Sequence, residues 1–381
     1  MKITLIGPVY PYRGGIAHYT GMLARALNGA GHTMQVISFH RQYPTLLYPG
    51  KTDKDPSKKP LKTKAEFLLD PLYPWTWRRT IQAVCSFSPE ITIVQWWTTF
   101  WAPAFAYLAK RLKHNKLSSV YIIHNVMPHE QRPWDRFIAR LALSNGDAFV
   151  VQTRRERERL QALLPNAQIY FCPLPTYHLL RAEESTRAQA RRLLELPEEA
   201  FILLFFGFIR PYKGVQILLE ALGKLRARGK MPTLVIAGEF WQDKQIYLAQ
   251  IKRLGLQEQV RIEDRYIPDE EIGNWFTAAD CLVAPYVGGT QSAAVSIALA
   301  YGLPMIVTQN VAEGISEENL SSLAAVVPPG DINALAEAID AAVDHPPQRQ
   351  DPQHPETNGW ERLVKTLEQI ASDLAAKDTA L

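Results

Sequence analysis

The stretch "FILLFFGFIRPYKGVQILLEAL", residues 201–222, decides how this chain folds. Residues 201–206 are apolar without interruption, as in a strand covered on both faces. Gly207 ends the run and Pro211 turns the chain. Val215, Leu218, Leu219 and Leu222 then recur at helical spacing. An apolar strand, a tight turn and an amphipathic helix make one unit of a parallel sheet, because parallel neighbours need a long crossover.

The unit repeats in both directions. Upstream, "KITLIG" is a strand, and Ile16, Tyr19, Leu23 and Leu27 follow as a helix face. "TMQVIS", "VYIIH" and "AFVVQ" are further strands, the last two separated by a helix over "PWDRFIARLALS". Downstream come "TLVIAG", "QVRIED", "CLVAPY" and "PMIVTQ". Between the two series, "HLLRAEESTRAQARRLLELPE" (178–198) carries charge and no strand signal, and reads as a hinge. The expected fold is α/β, with two Rossmann-like doubly wound domains facing a central cleft, over 1–180 and 195–345. Beyond the Pro-rich "DHPPQRQDPQHPETNGW", Trp360, Leu363, Leu367 and Ile370 mark a C-terminal helix (357–378), expected to pack back on the N-terminal domain.

Composition bounds the function. With 381 residues, 47% hydrophobic and 21% charged, the chain has the balance of a globular protein with two cores. A net charge of +4 permits anionic partners but does not call for nucleic acid. Cys85, Cys172 and Cys281 lie far apart in apolar settings, which fits a reducing compartment better than a disulfide framework. The N-terminus lacks the features of a signal peptide, so a cytoplasmic location is expected. Residues 91–109 are uncharged, but Gln95, Thr98, Thr99 and Pro103 argue for a buried strand, a loop and a helix rather than a membrane span. The loop "KTDKDPSKKPLKTK" (51–64) reads as solvated and mobile, or as a contact with anionic lipid at the inner face of the membrane.

Four segments follow strands, where a cleft site would form. In "GPVYPYRGGIAHYT", Gly14 and Gly15 allow close backbone approach at a helix start. The pattern is not G-x-G-x-x-G, which disfavours a nicotinamide cofactor. In "IIHNVMPHE", His124 ends a strand; a metal set with His129 and Glu130 is disfavoured because Pro128 breaks helical spacing. In "GFIRPYKG", Arg210 and Lys213 bring two cations to a helix start, which suits a diphosphate. In "GGTQSAAVSIALAYGLP", Thr290, Gln291, Ser292 and Ala293 offer an uncharged cradle of side-chain and backbone donors. Trp96, Trp97, Phe100 and Trp101 are open to two readings, an acceptor-binding face or buried core.

Taken in order, Gly14-Gly15, "HNVMPHE", "GFIRPYKGVQILLEA" and "ALAYGLPMIVT" resemble the retaining GT-B glycosyltransferases of family four, over nearly the whole chain. The resemblance implies that Gly14 and Gly15 approach the donor diphosphate, that His124 contacts the donor sugar, and that Lys213 binds the diphosphate. The family's usual arginine position is Phe208 here, so Arg210 is a displaced substitute. Two family glutamates fall on Gly289 and Ile297, leaving ribose and sugar recognition to other groups. The implied activity is hexosyl transfer from a UDP- or GDP-sugar to a sugar or glycolipid acceptor, with no metal and no cofactor beyond that substrate. The alternatives are a sugar-nucleotide epimerase of the same architecture, or a non-catalytic carbohydrate-binding relative.

Overall fold

A computed structural model describes residues 1–44, 48, 50–128, 132–180, 185–351 and 359–379. The chain divides into two compact units. The first comprises Met1–Asp55, Leu61–Pro175 and Gly359–Leu381; the second comprises Pro56–Pro60 and Thr176–Asn358.

Unit 1 holds seven parallel strands: β1 (Lys2–Ile6), β2 (Thr33–Phe39), β3 (Glu66–Leu69), β4 (Ile91–Trp96), β5 (Ser118–Ile123), β6 (Ala148–Val151) and β7 (Ile169–Phe171). Their order is β3-β2-β1-β4-β5-β6-β7, so the apolar runs occupy the centre and the short strands the edges. The helices are α1 (Gly15–Gly29), α2 (Pro74–Phe87), α3 (Ala102–His114), α4 (Asp135–Leu143) and α5 (Arg154–Leu163). Helices α2 to α5 cover one face, over a core that includes Val94, Trp101, Phe105, Leu143 and Leu160. The C-terminal helix, Trp360–Thr379, packs against α1.

Unit 2 holds β8 (Ile202–Phe206), β9 (Thr233–Ala237), β10 (Val260–Glu263), β11 (Cys281–Ala284), β12 (Met305–Thr308) and β13 (Leu323–Val327). They are all parallel, in the order β10-β9-β8-β11-β12-β13. Its labelled helices are α6 (Arg187–Leu193), α7 (Val215–Ala227), α8 (Lys244–Leu254), α9 (Asp269–Ala278) and α10 (Ala293–Ala300). The three cysteines are free thiols. Among the described residues no helix is long and apolar enough to cross a membrane.

Two expectations need correction. The described part of 178–198 is not a hinge between units but belongs to unit 2. Thr186 and Gln189 form a reciprocal cap that starts α6. Arg191 is buried, its Nη2 lying 2.6 Å from Asp280, whose carboxylate also accepts from the Ile202 N–H at 2.7 Å. Part of the charge in this segment, that of Arg187 and Arg191, is therefore spent on ion pairs with Asp280 at the foot of β8. The loop 51–64 is likewise not wholly solvated. The Arg13 and Asp55 N–H groups donate to Asp53 and Pro11 carbonyls at 3.1 and 2.8 Å, and Lys54 lies 3.6 Å from the Tyr12 ring centre. In unit 2, Ser57 Oγ accepts from the Asp269 N–H at 2.8 Å.

Candidate active site

In unit 2, β8, β9 and β10 extend to one side and β11, β12 and β13 to the other. The connections leaving β8 and β11 diverge, and a crevice opens outside their carboxyl ends, where ligands bind in such sheets. Both sequence-predicted segments of this unit lie there.

After β8, Pro211–Lys213 make one 3-10 turn, and Gly214 at φ +72° leads into α7. A Cβ on Gly214 would fall 2.0 Å from the Pro285 carbonyl oxygen, so both conformation and space require glycine. The turn carries the Lys213 ammonium next to Gly207, where an added Cβ would lie 3.2 Å away, and 5.2 Å from the Tyr286 ring centre. Among the described residues no carboxylate or other acceptor pairs with this ammonium. Burial pushes its pKa below the ordinary lysine value, and the nearby Arg210 charge acts in the same direction. Arg210 is half-buried, with its guanidinium 5.4 Å from the Tyr212 ring centre and 5.5 Å from that of Trp241. Phe208 packs at a tilt against Trp241 with ring centres 4.3 Å apart, so the family's arginine position is occupied by an aromatic contact.

After β11 the loop is tied to that turn. The Val287 and Gly288 N–H groups donate to the Tyr212 carbonyl at 2.8 and 3.3 Å. Asn310 Nδ2 donates to the Gly289 carbonyl at 2.6 Å. Ser292 caps α10, accepting from the Val295 N–H at 3.4 Å, and its hydroxyl lies 2.9 Å from the Tyr286 hydroxyl. Burial pushes the Tyr286 pKa up to about 12, so that hydroxyl keeps its proton. Thr290 Oγ1, on a residue 1% exposed, and Gln291 Nε2 are buried with no hydrogen-bond partner among the described residues. Leaving a buried polar group unpaired costs about 1–3 kcal/mol, so these two atoms point to a ligand. The first N–H groups of α10 add partial positive charge. An unpaired cation, a helix start and two unpaired polar atoms at one switch point are the elements of an anion site. Ile297 is 3% exposed within α10, a helix buried nearly all round, which leaves no polar group at that family glutamate position.

In unit 1 the switch point lies between β1 and β4. Gly14 takes φ +103° and accepts from the Ala17 and His18 N–H groups at 3.0 and 3.2 Å as α1 starts at Gly15. His124 directly follows β5, and its N–H donates to the Trp96 carbonyl at 2.9 Å. Its Nε2 lies 2.6 Å from Gln95 Oε1, and its ring meets Tyr19 edge-on at 4.8 Å. Gln152 Nε2 in turn donates to the Tyr19 hydroxyl at 2.8 Å. His124 is therefore buried and held in one orientation. His129 and Glu130 lie outside the described residues.

The acceptor reading of Trp96 is corrected. Trp96 ends a central strand and is fully buried, donating Nε1–H to the Val126 carbonyl at 3.3 Å. Trp97 is half-buried and donates to the Tyr43 hydroxyl at 2.8 Å. Sequence reasoning gave no site role to Gln95, which it used only against a membrane span, and passed over Gln152, Tyr286 and Asn310. The one available signal was a polar residue inside or just after an apolar strand, as at Gln95 and Gln152.

With this geometry in hand, two family models match nearly end to end. The model described as "Glycosyl transferase 4-like domain" matches residues 14–196, and that described as "Glycosyl transferases group 1" matches 200–345. The chain belongs to the family-four glycosyltransferases. This family-four chain is 29% identical over 240 residues to the D-inositol 3-phosphate glycosyltransferase 1 of Catenulispora acidiphila, covering 59% of the chain and 57% of that relative. It thus spans somewhat over half that relative's length. The sucrose-phosphate synthase of Thermosynechococcus elongatus matches with a TM-score of 0.67 and 19% identity, over 100% of this chain and 98% of the other. Anabaena Alr3699/HepE, solved in complex with UDP-glucose, matches with a TM-score of 0.66 and 16% identity over 100% of both chains. These structures share the GT-B architecture of two parallel Rossmann-like units.

Proposed function

We propose that the protein transfers a hexose from a nucleotide-diphosphate sugar to an acceptor hydroxyl, with retention at the anomeric carbon. The observation that carries this reading is the Lys213 ammonium, which faces the Tyr286 ring but has no carboxylate or other acceptor among the described residues, beside a loop whose Thr290 and Gln291 polar atoms have no hydrogen-bond partner among them either, at the switch point of unit 2. In the proposed reaction the bond from the anomeric carbon to the diphosphate oxygen breaks. A bond to the acceptor oxygen forms on the same face, and the acceptor proton passes to a phosphate oxygen of the leaving group. Lys213, Arg210 and the start of α10 stabilise the charge that grows on the diphosphate. That work requires no metal. His124 orients the donor sugar, and Gly14 and Gly15 let the backbone approach it.

The family membership supports a nucleotide sugar as donor, and the neighbour solved with UDP-glucose makes a UDP-sugar the first to try, ahead of a GDP-sugar. The acceptor is a sugar or glycolipid hydroxyl; the names of the relatives make inositol phosphate a reasonable first acceptor. We propose the cytoplasm as the location of the reaction. Thermal unfolding with UDP, GDP and ADP tests the site, because a nucleotide at a hundredfold its Kd should stabilise by about 2.7 kcal/mol. Release of nucleoside diphosphate only when acceptor is present would establish transfer; release without it, or no nucleotide binding, would overturn the reading.

A further inference from the structure

Helix α4 turns an unusual side to solvent. Trp134 just before it, and Phe137 and Leu141 on it, are 53%, 72% and 55% exposed. Arg136 and Arg140 are exposed between them and Arg132 just before them, and none pairs with an acid among the described residues. The Arg132 guanidinium lies 5.8 Å from the Trp134 ring centre. The only acid on the helix is turned inward: Asp135 is buried, accepting from Thr99 Oγ1 at 2.6 Å and the Arg132 N–H at 2.7 Å. Ala139, Ala142 and Leu143 fill the core behind it. A helix on the surface of a soluble protein normally keeps its outer side polar. This one has apolar sides both inward and outward, the outer one interleaved with cations.

A second patch of the same character lies in the same helix layer. Leu72, Tyr73 and Trp75 are exposed at the start of α2, followed by exposed Arg78 and Arg79. Both α2 and α4 pack against α3, and each precedes a strand of the parallel sheet, so both start from the carboxyl end of the strands.

We infer that this face of unit 1 docks on an anionic lipid bilayer surface, with α4 lying in the interfacial plane. Indole and phenyl rings suit the boundary between headgroups and acyl chains, and the arginines suit a negative surface. The absence of any outward acid on α4 excludes the repulsion that such a surface would otherwise meet. This contact is distinct from the 51–64 loop and does not depend on the transferase reading, since it concerns binding without turnover.

The test is flotation of the full purified chain with vesicles of phosphatidylcholine alone or mixed with phosphatidylglycerol. The wild type should float with the mixed vesicles, less so at high salt, and not with phosphatidylcholine alone. Arg136→Glu with Arg140→Glu should weaken that binding by about thirtyfold or more, from the attraction that each cation gains at an anionic surface. Phe137→Ser should weaken it as well, while circular dichroism and thermal unfolding stay unchanged because these positions face solvent. Failure of the wild type to bind anionic vesicles would overturn the inference, as would equal binding by both variants. A concentration-dependent dimer that Phe137→Ser abolishes, without vesicle binding, would assign the patch to a second copy of the chain instead.

Discussion

Replacing Lys213 by methionine separates what this side chain does for the fold from what it does for the ligand. Methionine keeps the length and apolar packing of the stem and removes the charge. In the ligand-free protein that charge is half-buried without an acceptor among the described residues, and desolvation holds its pKa below the ordinary lysine value. A base whose folded pKa is lowered binds fewer protons in the folded state than in the unfolded state. Its effect is therefore destabilising below the folded pKa and fades as pH rises toward the unfolded value. Lys213→Met should leave the ligand-free Tm unchanged or raise it. Ligand binding should respond in the opposite sense. A hydrogen bond to a charged group contributes about 1.5–3 kcal/mol, so UDP affinity should fall about tenfold to a hundredfold. At a concentration that stabilises the wild type by about 2.7 kcal/mol, a hundredfold weaker variant would gain only about 0.4 kcal/mol. kcat/KM should fall by about a hundredfold to a thousandfold, as for loss of one preorganised charge at a developing anion. Differential scanning fluorimetry with and without UDP, together with an assay of UDP release, measures all three. A wild-type UDP-induced shift in Lys213→Met would refute the assignment. A large drop in ligand-free stability would show that the ammonium has a structural partner in solution.

Three further outcomes follow from the same geometry. Gly214→Ala should destabilise unit 2 by about 2 kcal/mol or more and abolish UDP binding, since φ is +72° and the new Cβ would meet the Pro285 carbonyl at 2.0 Å; denaturant unfolding and calorimetry check this. Ile297→Glu places a carboxylate in a helix buried nearly all round and should cost about 3 kcal/mol of stability; full stability with tenfold tighter UDP binding would instead mean that this carboxylate reaches the ribose. His124→Ala should lower kcat while leaving UDP affinity within about twofold, because UDP lacks the sugar that His124 is proposed to touch. Activity that dies with a chelator and returns with zinc would replace that role by metal ligation.

How much was legible in the sequence differs between the centre and the rim of each sheet. Strands β1, β2, β4, β5, β6, β8, β9, β11 and β12 were readable, because a parallel strand covered on both faces needs an apolar run that no turn or surface helix needs, and β10 was read although it lies at an edge and is only half-buried. The edge strands β3, β7 and β13 went unread: "EFLL", "IYF" and "LAAVV" are short and partly exposed, and only pairing with a neighbour makes them strands. The site divides in the same way. Lys213-Gly214 and the Thr290–Ala293 loop stood out because a glycine turn at a helix start is a local signal. Trp96 could be judged only from its place in the sheet, since an aromatic run is the same sequence whether it faces a ligand or the core. The same holds for pairs far apart in the chain. Arg191 with Asp280, His124 with Gln95, and Tyr286 with the Lys213 turn are joined by the order of the strands, and charge or polarity at one position does not reveal the partner that the fold brings to it.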